Sequence, residues 1–136
     1  MNATAVDVKE MLEYYSQLCD SSSADFVDLY PIHIGREPAE PVNTITIFET
    51  GVIPPQLTLG NEFYEYPTIQ MRVRSTNYQE GWRVITLIRD LLHGRANETW
   101  NGVLYTLIRC FNGPAMLDFD KNQRVRFIIN FNIQRR

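Results

Sequence analysis

TIQMRVRSTNYQEGWRVITLIRDLLHG, residues 68–94, changes its hydrophobic period half-way along, and that change decides the fold. From Thr68 to Ser75 the residues Ile69, Met71 and Val73 alternate with Gln70, Arg72 and Arg74, which predicts a strand with one buried face. After Ser75 the period lengthens. Asn77 stands as a helix N-cap with Glu80 three residues on, a variant of the capping box. Tyr78, Trp82, Ile85, Ile88, Leu91 and Leu92 then form an apolar stripe at helical spacing, with Arg83 and Asp90 outside it. His93 in the last turn and Gly94 just beyond supply the stop.

Towards the C-terminus the chain reads as β. Val103 to Phe111 is β-branched and aromatic, Asn112-Gly113-Pro114 predicts a turn, and Ala115 to Phe119 a short strand. Asp120-Lys121-Asn122 makes a polar turn before a long strand, Gln123 to Gln134. There Val125, Phe127, Ile129, Phe131 and Ile133 alternate with Arg124, Arg126, Ile128, Asn130, Asn132 and Gln134, so one face meets the core and the other solvent or a partner. A slip of one residue would bury both arginines and three amides, so the register is strongly specified.

Towards the N-terminus a helix is expected from about Thr4 to Leu18. Val8, Met11, Leu12, Tyr15 and Cys19 lie on one stripe, with Thr4 as N-cap and Asp7 in the first turn. Asp20-Ser21-Ser22-Ser23 ends it, because these side chains compete for backbone hydrogen bonds. Phe26 to Ile34 reads as a strand that Pro31 demotes to a sheet edge, Gly35 to Val42 as a loop, and Asn43 to Thr50 as a β-branched strand. Gly51 to Pro67 holds Pro54-Pro55, Gly60 and the aromatics Phe63, Tyr64 and Tyr66, and reads as a long loop of the kind that carries function. These elements sum to an α+β fold: one domain, residues 1–136, with an antiparallel or mixed β-sheet and two α-helices packed on one face.

Composition narrows the function classes. A chain of 136 residues buries roughly 68–70% of its unfolded surface, enough for a core. With 44% apolar and 21% charged residues and a net charge of −3, the chain is neither disordered nor basic, and its pI near 5.3 argues against a dedicated nucleic-acid binder. Cys19 and Cys110 lack any metal or redox spacing and read as buried, reduced thiols. Met1 to Glu10 has no apolar core like that of a signal peptide, no apolar run approaches the ~20 residues of a membrane span, and Asn97-Glu98-Thr99 is a chance sequon, so a reducing cytoplasm is expected.

Chemistry is hard to find in the chain. His33 sits in a strand, and His93 is explained by its helix end. Glu37 and Glu40 fall in one loop and Glu62 and Glu65 in another, where solvated charge is the plain reading. There is no nucleophile elbow, phosphate loop or dinucleotide fingerprint, so no catalytic residue, metal ligand or cofactor is assigned. Arg72, Arg74, Arg124 and Arg126 suggest an exposed basic stripe, with Tyr105 as a stacking surface for an oligonucleotide. The favoured reading gives the same arginines a soluble face paired with acids, and a third possibility is a face that meets another copy of the subunit.

The order of elements, the stretch Pro67–Gly94 with its Gln70-Met71-Arg72-Val73-Arg74 strand and Tyr78, and the run Phe127-Ile128-Ile129-Asn130-Phe131-Asn132-Ile133 resemble the minor capsid or tail-terminator proteins of long-tailed bacteriophages. That resemblance implies a virion protein without cofactor, made in the host cytoplasm, whose copies form a ring, usually of six. The implied ring caps the tail tube and joins it to the head connector. Its implied partners are further copies of itself, the major tail tube protein and a head connector or stopper protein, with no membrane and with DNA only passing through the ring. A head-side adaptor or stopper is the alternative within the same assembly. A ring repeats one heterologous interface, and the Gly51–Tyr66 loop, through Leu57, Leu59, Phe63, Tyr64 and Tyr66, is the expected contact with a neighbour or with the tube.

Overall fold

The first helix of the computed structural model, α1 (Thr4–Gln17), lays Ala5, Val8, Met11 and Leu12 into the core. The structure describes residues 2–17, 30–51, 56–57 and 63–136, and of Gln56, Leu57 and Phe63 only the backbone. The expected helix residues Leu18 and Cys19, and most of the expected strand from Phe26, lie outside the described residues. Thr4 is inside the first turn rather than at the cap: the Ala3 carbonyl accepts from the backbone N–H of Val6 and Asp7. Thr4 is itself buried.

Among the described residues the strands are β1 (Ile32–Ile34), β2 (Thr44–Glu49), β3 (Gln56–Leu57), β4 (Phe63–Tyr64), β5 (Thr68–Ser75), β6 (Glu98–Trp100), β7 (Val103–Phe119) and β8 (Val125–Arg135). Helix α2 (Tyr78–Leu92) follows β5. A six-stranded mixed sheet runs β1-β2-β5-β8-β7-β6, parallel between β1 and β2 and antiparallel elsewhere. β3 and β4 form a small hairpin within the expected Gly51–Pro67 loop. Ile45, Ile47, Ile69, Met71, Val73, Phe127, Ile129 and Phe131 line the sheet face under both helices, in one core with Val84, Ile85, Ile88 and Leu92 of α2. The fold is therefore α+β, with the register of β5 against β8 set as the alternation requires.

Three local readings are corrected. The buried stripe of α2 is rotated, because Tyr78 and Trp82 are 53% and 36% exposed while Gly81 and Val84 are buried. A Cβ on Gly81 would sit 2.7 Å from the Phe127 ring, so glycine lets the helix start close against the sheet, and Tyr78 and Trp82 pack edge-on around that ring at 5.0 and 5.8 Å. Asn112-Gly113-Pro114 is no hairpin turn: β7 continues through it as a single strand. The unbroken β8 keeps pairing with it, Asn112 with Asn130 and Ala115 with Ile128, so the extra residue is taken up as a bulge. Gly113 holds φ +93°, and a Cβ there would lie 2.7 Å from the Ile128 carbonyl oxygen. Finally, β6 was missed, although Gly102 reads as a turn residue; the Asn101-Gly102 pair, with φ 52° and 80°, joins β6 to β7 and is the signal that would have found the strand.

Candidate assembly surface

The sheet face away from the helices is polar, and it is tied down by its own chain. Arg74 is 3% exposed. Its guanidinium donates to the carbonyls of Pro38, Ala39, Pro41 and Val42 and to the Glu37 carboxylate at 3.1 Å, so the loop between β1 and β2 is wrapped around one cation. Arg126, opposite Arg74 in register, shares Glu37 at 3.3 Å and makes a two-pronged pair with Asp118 at 2.6 and 2.7 Å. That pairing holds the Arg126 pKa above its ordinary value, with Asp118 the main cause. Arg124 pairs with Asp120 at 2.7 Å, and Arg72 donates to Gln70 while lying 5.0 Å from the Phe48 ring centre. The four arginines are thus brought onto one face, but the exposed basic stripe is corrected: three of them bind acids and Arg74 is buried. Asp118 and Asp120 lie within eight residues of the arginines they bind, whereas the pairing with Glu37 could not be read from spacing, because that acid arrives from a distant loop.

A second polar cluster fastens α1 to the start of β7. Asp7 is buried and accepts from the Tyr105 hydroxyl and, at 2.7 Å, from the Asn101 side-chain amide. Arg135 joins Glu65 at 2.8 Å and the Tyr105 hydroxyl at 3.2 Å. Burial, and then the bond to Asp7, push the Tyr105 pKa up, so the hydroxyl keeps the proton it donates to Asp7. At the other end of α1, Tyr15 donates to Glu98, and Arg95 lies 3.3 Å from the Tyr15 ring centre. Burial and the bond to Glu98 push Tyr15 up to about 12. Burial alone would raise Glu98, yet hydrogen bonds from Tyr15, Trp100 and Arg95 hold it below the ordinary carboxylate value.

These clusters are structural ties. His93 accepts the Cys110 backbone N–H on Nδ1 at 2.9 Å. Among the described residues no three His, Cys, Asp or Glu side chains gather as a metal site, and no helix is long and apolar enough to cross a membrane. Of the expected contact residues, Leu59 lies outside the described residues, Leu57 falls in β3, and Phe63 and Tyr64 fall in β4. Tyr64 is half-buried and its hydroxyl accepts from Arg136. Glu65 exchanges two backbone hydrogen bonds with Arg135, and Tyr66 lines a cavity of about 280 Å³ with Leu107, Arg109, Asn132 and Gln134.

The surface that sequence reasoning missed is the far half of β7. On its outer side, β6 and the chain from Gly94 to Asn97 cover β7 as far as Ile108, through bonds such as the Gly94 N–H to the Ile108 carbonyl at 2.8 Å. Beyond Cys110, among the described residues, no strand lies on that side. Phe111, Met116, Leu117 and Phe119 are there 38–52% exposed, and Tyr78 and Trp82 extend the apolar patch onto α2. An open strand edge with exposed apolar side chains is a template for another chain.

The family model described as "Bacteriophage tail terminator protein" matches residues 17–136. A chain of the "Virion of native gene transfer agent (GTA) particle" shares the fold at a TM-score of 0.61 and 12% identity, covering 98% of this chain and 94% of its own. A second solved chain shares it at 0.58 and 10% identity, covering 94% and 91%. No curated protein sequence matches.

Proposed function

Because the chain belongs to the bacteriophage tail terminator family, and so is a structural protein of the virion tail, we propose that copies of it close into a ring that caps the tail tube and joins it to the head connector. The observation that carries this reading is the half of β7 that no strand covers among the described residues, where the apolar side chains Phe111, Met116, Leu117 and Phe119 are exposed. The protein works by surface complementarity, without turnover: the titratable clusters are closed on themselves and serve to brace loops and helix ends. A fold shared with a chain of a gene transfer agent virion agrees with a place in such a particle.

The segment carrying Leu57, Leu59, Phe63, Tyr64 and Tyr66 belongs in the same proposal as a second contact, towards the tube. Electron microscopy of the purified protein mixed with isolated tail tubes tests the reading. A ring of added density at one tube end is expected, together with a block on further tube growth. Tubes whose two ends stay bare at saturating protein would overturn it.

A further inference from the structure

Among the described residues the sheet has two open edges, and the register puts them at the same height. One row of paired residues runs from edge to edge: Ile32, Ile45, Val73, Phe127, Met116. The next runs His33, Thr46, Arg72, Ile128, Ala115. The first row lies on the helix-covered face and the second on the polar face, so side chains at the two edges also agree in direction. Between the edges the strands run up, up, down, up and down, which leaves β1 and β7 opposed in direction. The near half of β7 is blocked by β6, and the open half is the one level with β1.

From this we infer that β1 of a second copy of this chain adds to β7 as an antiparallel strand, with Ile32 of one copy beside Met116 of the next and His33 beside Ala115. A closed ring is generated by rotation alone, so with the strands running along the ring axis, edges that sit level join without a rise from one copy to the next. The contact brings the exposed Met116 and Ile34, 42% and 40% accessible, to one apolar face. Pro114 withholds one donor from the new ladder, and β1 is only three residues long. Backbone pairing is therefore short, and the apolar contacts supply much of the affinity.

The inference rests on the ring reading, and cysteine cross-linking separates the two. His33→Cys and Ala115→Cys are combined in a chain carrying Cys19→Ser and Cys110→Ser, and assembled protein is oxidised with copper phenanthroline. The expected product is a ladder of covalent oligomers ending in one closed species, whereas each single-cysteine chain gives dimers at most. Met116→Lys, checked for folding by circular dichroism, is expected to weaken assembly at least about tenfold, because the new charge loses water at the contact. Rings seen by microscopy or native mass spectrometry without that ladder, and undiminished by Met116→Lys, overturn the β1–β7 contact and leave the ring standing. A folded protein that forms no ring alone or on tail tubes overturns both.

Discussion

The two halves of β7 are one strand with two environments. From Val103 to Ile108 it is a central strand, with β8 on one side, β6 and the Gly94–Asn97 segment on the other, and Tyr105 buried beneath α1. From Cys110 to Phe119 it has β8 alone among the described residues, and the apolar side chains Phe111, Met116, Leu117 and Phe119 face outward. The apolar character of the strand is much the same throughout; what differs is whether the molecule covers it. The near half holds the fold together, and the far half is apolar surface that no strand covers among the described residues.

That contrast can be broken most directly by measuring stability. Phe131→Ala, in the fully buried row of β8 and paired with Cys110 where the two halves meet, is expected to cost about 3–5 kcal/mol, read from urea melts. Arg74→Ala is next, at about 3 kcal/mol, because it strands four loop carbonyls under the sheet face and removes one of the two cations on Glu37. Asp7→Ala unlocks Tyr105 and Asn101 and should cost about 1–3 kcal/mol. Leu117→Ser in the far half is expected to fall within about 0.5 kcal/mol of the native chain while lowering ring formation. Were Leu117→Ser as damaging to the isolated subunit as Asp7→Ala, the two halves would not differ in the way proposed.

A smaller effect sharpens the same contrast through pH. Tyr15 is raised in the folded state, so its contribution is complete below the unfolded value near 10 and is lost as pH rises through about 12. Glu98 is lowered, so its contribution is present above the unfolded carboxylate value and is lost as pH falls through the lower folded one. Absorbance at 295 nm should show Tyr15 ionising late together with Tyr30 and Tyr105, and Glu98→Gln should bring Tyr15 alone back towards the ordinary range. It should also flatten the acid limb of the stability profile. A Tyr15 that ionises near its unfolded value in the native protein would show that the Tyr15–Glu98 tie does not hold in solution.

Much of the architecture was legible because period and burial coincide where one face of an element meets the core. The alternation in Thr68–Ser75 and Val125–Arg135, and the Asn77 cap with its bond from the Glu80 N–H at 3.1 Å, stand as read. The failures have a common cause. Tyr78 and Trp82 match helical spacing, yet the close seat of Gly81 on Phe127 turns them outward. Gly113-Pro114 has turn chemistry, yet an intact partner strand keeps it in the sheet. The arginines alternate as a solvent face should, yet Glu37 and the loop carbonyls close over Arg74.

By itself the sequence determined the α+β class, the long strands, the second helix and its caps, and the lack of any motif for catalysis, since each is written in neighbouring residues through period, capping or spacing. That the Glu37 loop closes over Arg74, where β7 is covered among the described residues and that its open half lies level with β1 were decided only by the tertiary structure. Those facts depend on segments dozens of residues apart arriving at one place, and a local pattern holds no measure of that distance.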